Sequence, residues 1–203
     1  MQVFCNRDDA RKHCRQQRSE LGAKGRAQAS IQLIRRFRNS SFYLRAKRIA
    51  MYWPLPAEVD LRALAKQANA DGKQVYLPVM QPNHKMIFAR FTDECDLRPA
   101  AFGILEPPIR PGKNTVQPQH LDTVCVPLLG FDRNGGRLGM GGGYYDRCFG
   151  FRNADPGGLP RLVGVAFSVQ ELAHAPVDSW DLRLDAVITE TEDINCVQRR
   201  NSL

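Results

Sequence analysis

A chain of 203 residues, 43% hydrophobic and 25% charged, has the make-up of an ordinary globular protein with length for one real core, which excludes a disordered chain. No stretch approaches the ~18 uninterrupted apolar residues of a membrane-spanning helix, and the polar start MQVFCNRDDARKHCRQQR lacks the apolar segment of a secretory signal, so a cytoplasmic address is expected. The net charge of +8 is concentrated at one end, residues 1–48 carrying 13 Lys/Arg against 3 Asp/Glu and the remainder 16 against 18.

In chain order, residues 7–20 read as an Arg- and Gln-rich helix ending near Gly22. A second helix is expected over 26–38, with Ala27, Ile31, Ile34 and Phe37 on one stripe. Arg48–Trp53 (RIAMYW) reads as a buried strand closed by Pro54 and Pro56. Asp60 is placed to cap a helix bearing Leu61, Leu64, Ala65 and Ala68 at helical spacing, and Asp71-Gly72 stops it. Strands follow at Gln74–Val79 and, near an edge, at Lys85–Phe91, and the proline-rich stretch 104–119 reads as a loop. Three further apolar strands are expected at 122–129, 161–167 and 185–189, with a polar tail that frays from Glu190 onward. Strands apolar throughout, separated by helical segments, predict one α/β domain whose mostly parallel sheet is covered on both faces.

Cysteines at 5, 14, 95, 125, 148 and 196 form no CxxC pair. The approach of Cys5, His13 and Cys14 lacks a second ligand pair for zinc, so reduced thiols are expected. The basic N-terminal quarter fits a nucleic-acid surface, a guide for small anions, or a solvated helix face.

The decisive stretch is PLLGFDRNGGRLGMGGGYYDR, Pro127–Arg147, in which six of the nine residues from Gly135 to Gly143 are glycine. A strand, a glycine loop and then a helix beginning near Tyr144 would aim backbone N–H groups at one anion, typically a phosphate. It is neither a Walker A loop nor a dinucleotide fingerprint, because no GK[ST] follows and Tyr144 stands where a third glycine would fall. At its edges Arg137 offers a fork of donors to phosphate oxygens. Asp146 offers either a hard oxygen ligand for Mg²⁺ or a carboxylate favoured by the helix dipole, and spacing does not separate the two.

RLGMGGGYYDR preceded by PLLGFD resembles the signature of the 5-formyltetrahydrofolate cyclo-ligase family. Arg7-x-x-x-Arg11 followed by Arg18 resembles its basic N-terminal helix, and Arg48–Glu58 followed by Asp60 its strand and acidic turn. Gly72-Lys73 through Pro78, Phe102–Pro107 and Trp180-Asp181 through Asp185 resemble later elements in the family's order. The resemblance implies a three-layer α/β/α domain over 1–190 with 191–203 as a tail. It implies conversion of 5-formyltetrahydrofolate to 5,10-methenyltetrahydrofolate, with ATP as co-substrate and Mg²⁺ required.

Carried over by position, it implies ATP contacts at Arg7, Arg11, Arg137, Leu138, Gly139, Met140, Gly141, Gly142, Gly143, Tyr144 and Tyr145. Folate contacts would come from Trp53, Glu58 and Met140 to Tyr144, magnesium ligands from Asp146 and Asp181, and catalytic contacts from Arg137 and Tyr144. Arg7 stands where the family has lysine, and Met140 and Gly142 where some relatives carry basic residues. The partners implied are ATP and reduced folate, with no nucleic acid, no membrane and a monomeric chain. Trp53 by itself reads as a core aromatic, Tyr145 as packing, and Asp132 and Asp185 as structural or supporting. An RNA-binding module using the basic N-terminus, and a phosphosugar isomerase or acyl-CoA transferase, are the competing readings.

Overall fold

The computed structural model describes residues 4, 6–110, 112–155 and 158–197. Helix α1 runs Arg7–Glu20, started by the Asn6 side chain accepting from the Asp8 N–H, with Asp8 and Asp9 in the first turn. Helices α2 (Gly22–Asn39) and α3 (Ser41–Leu44) lead into strand β1 (Arg48–Ala50). Next come α4 (Arg62–Ala70), β2 (Gln74–Gln81) and β3 (Lys85–Phe91). Short strand β4 (Arg98–Pro99) precedes the proline-rich stretch, and β5 (Leu105–Glu106) and β6 (Thr115–Val116) lie within it. Strand β7 (Thr123–Val126) precedes a hairpin of β8 (Gly130–Phe131) and β9 (Arg137–Leu138), and α5 spans Tyr144–Phe149. The chain closes with β10 (Arg161–Val165), β11 (Ala186–Ile188) and β12 (Asp193–Asn195).

Eight strands form one sheet in the order β12-β11-β10-β7-β1-β2-β3-β6. The five from β11 to β2 pair in parallel, while β3, β6 and β12 are antiparallel additions at its two sides. This is the mostly parallel α/β sheet that the sequence predicts. Strand alternation divides the core into two layers. Ile49, Val75, Cys125 and Val163 pack with Leu33, Phe37 and Leu64 on one face. Ala50, Val124, Val126 and Leu162 pack with Tyr145 and Phe149 on the other.

The structure departs from the sequence reading in four places. The second helix begins at Gly22, and its buried stripe is Ala29, Ser30, Leu33 and Phe37, leaving Ile31 55% exposed. The apolar stripe expected through Ala27 and Ile31 is therefore rotated, because Leu33 and Phe37 set the face that meets the sheet. The stretch 104–119, read as a loop, holds β5 and β6, and β6 pairs outside β3, which leaves β3 near the sheet's edge as expected. The glycine-rich segment is not one loop, since the β8–β9 hairpin takes up its first half. Finally, the tail expected to fray from Glu190 instead forms β12, which pairs with β11, and Ile194 within it and Cys196 just after it are buried. Cys5 and residues 198–203 lie outside the described residues.

Candidate active site at the strand reversal

Two segments leave the carboxyl ends of the central strands at the point where the winding reverses. From β1 the chain builds outward through β2, β3 and β6, then returns to the other side of β1 as β7 and continues through β10 to β12. Open parallel sheets bind ligands in the crevice outside such a reversal. The segment leaving β1 carries Trp53 and Glu58, and the segment leaving β7 carries the glycine-rich stretch.

In that stretch Asp132 closes the hairpin turn, its Oδ1 accepting from the Asn134 and Gly136 N–H groups at 2.9 Å and its Oδ2 from Ala175 N–H at 2.9 Å. Asp132 is thus structural. The second half, Gly139 to Gly143, is the open loop, with Met140 54% exposed at its tip and Gly141 and Gly142 exposed beside it. Gly141 and Gly143 hold φ of +101° and +63°, values that side-chain-bearing residues rarely adopt. Gly143 then caps α5, and a Cβ placed there would lie 2.8 Å from Arg147 Nη1. Gly143→Ala is expected to cost about 1–2 kcal/mol of stability, a fall in Tm of roughly 2–8 °C, and to raise KM for the loop's ligand. Thermal melts read beside steady-state kinetics check this, and an unchanged Tm would remove the conformational requirement.

Charged groups frame the loop from both sides. Arg11, on α1, donates from Nε to Gly139 O at 3.1 Å, and its Nη2 lies 3.6 Å from where a Gly141 Cβ would be. Arg137 lies beneath the loop, its side chain only 6% exposed and its Nη2 2.5 Å from Asp146 Oδ1. The fork expected to face phosphate is therefore turned largely inward, and it props both the loop and Asp146. Leu138 is buried with it. Tyr145 is buried under the Arg137 guanidinium, 5.9 Å from ring centre to Cζ, whereas Tyr144 stays partly exposed beside His84 and Arg147. Tyr145 has the packing role expected of it.

Asp146 and the segment carrying Asp181, the two expected magnesium ligands, are joined by one backbone contact. Asp146 Oδ1 also accepts from Leu182 N–H at 3.1 Å, the residue after Asp181, so both carboxylates lie on one side of the molecule. Asp181 Oδ2 accepts from Arg7 Nη2 at 2.6 Å and from Asp178 N–H at 2.7 Å. Arg7 also donates to Pro176 O at 3.0 Å and to Asp178 at 2.7 Å. Asp146 Oδ2 and Asp181 Oδ1 make no hydrogen bond among the described residues. Two hard oxygen donors with open lone pairs suit a divalent cation that completes its shell with phosphate and water.

Trp53 is partly buried against Phe91, ring centres 5.7 Å apart, so one face belongs to the core. Glu58 Oε2 accepts from Leu55 N–H at 3.0 Å. Burial pushes its carboxyl above the ordinary value, opposed by that N–H and by the charge of Arg18. Tyr145 is pushed far above the usual phenol range by burial first and by Glu58 second, with Arg137 opposing. Burial also pushes the Cys14 thiol up to about 11 and the Cys148 thiol up to about 12, so neither is a thiolate at neutral pH. Asp178, which shares Arg7 with Asp181, is a residue beside the site that the sequence reading passed over.

Such a crevice, with an exposed glycine loop between arginine and carboxylate pairs, defines an α/β protein of the ligand-binding switch-point class. Comparison with known proteins narrows it. The chain belongs to the 5-formyltetrahydrofolate cyclo-ligase family, whose model matches residues 5–190. It is 33% identical over 181 residues to the 5-formyltetrahydrofolate cyclo-ligase of Haemophilus influenzae, covering 88% of this chain and 94% of that protein. It is 30% identical over 183 residues to the Escherichia coli K12 protein of the same name, covering 88% and 97%. The solved structure of Aquifex aeolicus 5,10-methenyltetrahydrofolate synthetase superposes with a TM-score of 0.78 at 30% identity, over 94% of this chain and 92% of that one. A Mycoplasma pneumoniae 5,10-methenyltetrahydrofolate synthetase, 23% identical, shares the fold with a TM-score of 0.69 over 91% and 99%.

Proposed function

We propose that this chain cyclises 5-formyltetrahydrofolate to 5,10-methenyltetrahydrofolate, converting ATP to ADP and phosphate. The observation that carries the reading is the exposed Gly139–Gly143 loop held between Arg11 and the Asp146–Asp181 pair, at the sheet's reversal point in a chain of this family.

The formyl group is an amide whose oxygen leaves poorly. That oxygen attacks the γ-phosphorus of ATP, the bond to the β–γ bridging oxygen breaks, and ADP departs. N10 of the same molecule then attacks the activated carbon, and loss of phosphate together with the N10 proton leaves the methenyl cation. The chain has to position two anions and neutralise moving charge, and it needs no covalent nucleophile. Backbone N–H groups of Gly139–Gly143 and the Arg11 guanidinium take the phosphates, with Arg7 holding Asp181 in place. Tyr144, on the exposed side of α5, contacts the reacting groups, while Arg137 acts mainly through Asp146 and the loop. Trp53 and Glu58 bind the pterin end, and holding N5 and N10 in one conformer makes ring closure intramolecular. Asp146 and Asp181 would hold Mg²⁺, which when bound offsets phosphate charge. One catalytic domain from α1 to β12, acting as a monomer, is sufficient for this scheme.

An absorbance assay for the methenyl product, with ATP and Mg²⁺ each present or omitted, tests the reading. Product formation that depends on both supports it, and no product with both present discards it. Arg11→Ala should raise KM for ATP about 10- to 100-fold, the worth of a charge-assisted hydrogen bond, while KM for the folate stays near wild type. An unchanged KM for ATP would take Arg11 out of the phosphate site.

A further inference from the structure

Helix α5 lies against strand β3, with Cys148 Sγ 3.9 Å from Met86 O, and the tip of the β2–β3 hairpin stands beside the end of the glycine loop. At that tip Asn83 and His84 hold φ of 59° and 55°, a left-handed turn. The exposed His84 imidazole meets the ring of Tyr144, ring centres 5.6 Å apart. Arg147 meets the same ring from α5, with Cζ 5.8 Å from its centre. Side chains on a helix lean toward its N-terminus, which carries the Arg147 guanidinium back to Gly142 O, the acceptor for its Nη2. A basic residue in the last turn of a helix normally serves the final carbonyls. Arg147 does not.

Two exposed basic side chains therefore share one tyrosine ring, and neither has a carboxylate partner among the described residues. Asp146, about 100° around the helix from Arg147, turns the other way, to Leu182. In the proposed reaction the phosphates of ATP have their takers in Arg11, the loop N–H groups and the cation on Asp146 and Asp181. The charge of the folate has none. Its pterin is neutral, its carboxylates belong to the glutamate at the far end, and Glu58 at the pterin end would repel them. That tail is attached through N10, one of the atoms that react beside Tyr144, so it starts out next to the ring that His84 and Arg147 flank.

We infer that Arg147 and His84 form the subsite for the glutamate carboxylates of the folate tail, Arg147 through its guanidinium fork and His84 through an imidazole N–H. This rests on the placement of Tyr144 at the reacting groups, and it assigns residues to the end of the substrate that Trp53 and Glu58 do not reach. A substrate without the glutamate loses this hold and keeps the reacting centre.

Equilibrium binding of 5-formyltetrahydrofolate and of 5-formyltetrahydropteroate, which lacks the glutamate, to wild type and Arg147→Met tests the inference. Loss of a hydrogen bond to a charged group should weaken the folate about 10- to 100-fold, leaving the pteroate within about twofold and KM for ATP unchanged. Equal weakening of both ligands would mean that Arg147 only shapes the loop. A raised KM for ATP with both ligands unaffected would give Arg147 to the phosphates, and no change at all would leave it a solvated cation. Each of these results overturns the inference. Should Arg147→Met fail to fold, His84→Gly keeps the left-handed turn and is expected to show the same selective loss. If wild type binds neither ligand, the folate reading itself falls, and that outcome is visible before any variant is compared.

Discussion

Asp146→Asn should fold and bind nucleotide yet turn over about 10²–10³-fold more slowly, the scale of losing one well-placed electrostatic stabiliser. The substitution keeps an oxygen for the Arg137 Nη2–H and the Leu182 N–H, which Asp146 Oδ1 now satisfies at 2.5 Å and 3.1 Å. What it removes is the charge. Arg137, with a side chain 6% exposed, loses its counter-ion at the same time, so a stability loss of about 1–3 kcal/mol is expected as well. Mg²⁺ titrations of the initial rate should shift to higher metal concentration. A variant with near-normal rate at ordinary Mg²⁺ would separate Asp146 from the metal, and one that melts far below wild type would show that its main duty is holding Arg137.

Asp185→Ala should be the most damaging single change to stability. Asp185 and Arg152 are each only 3% exposed at the side chain, with Arg152 Nη2 at 3.2 Å from both carboxylate oxygens. Asp185 Oδ2 also takes the Leu162 N–H at 2.8 Å, and Arg152 Nε donates to Pro160 O at 2.9 Å. The pair therefore ties the segment after α5 to the starts of β10 and β11. Removing one partner strands a buried cation and costs about 3–5 kcal/mol, roughly 6–20 °C in Tm for a chain of this size. Replacing both, as Arg152→Met with Asp185→Leu, should recover much of that loss, because no uncompensated charge remains. Urea unfolding of the single and double variants decides the matter. A loss below 1 kcal/mol in Asp185→Ala, or no recovery in the double variant, would count against it.

The sheet was readable because its central strands are covered on both faces and so appear as unbroken apolar runs. β7 and β10 fall inside the stretches expected for them, and α1 has the bounds its polar pattern indicates. β12 was not readable, since only Ile194 of its three residues is buried and the strand looks like tail. The hairpin inside the glycine stretch was hidden for a related reason. Gly135 and Gly136 serve a turn around Asp132, whereas Gly139, Gly141, Gly142 and Gly143 form the loop, and composition does not tell the two groups apart. At the site, the pairing of the Asp146 and Asp181 regions followed from family resemblance rather than spacing, because 36 residues separate Asp146 from Leu182. Part of the basic N-terminal charge is turned toward the crevice, since Arg7 reaches Asp181 and Arg11 reaches Gly139.

Helix α1 has a consequence for how the enzyme comes into being. Its arginines reach partners 128 residues away at Gly139 and 174 away at Asp181. During synthesis the first helix must therefore wait for nearly the whole polypeptide before it can dock, and contacts so distant in sequence are slow to form. Competence arrives only at the end of folding. A growing chain that has reached the glycine loop already holds Arg11, but the Arg7–Asp181 contact has to wait for the last elements.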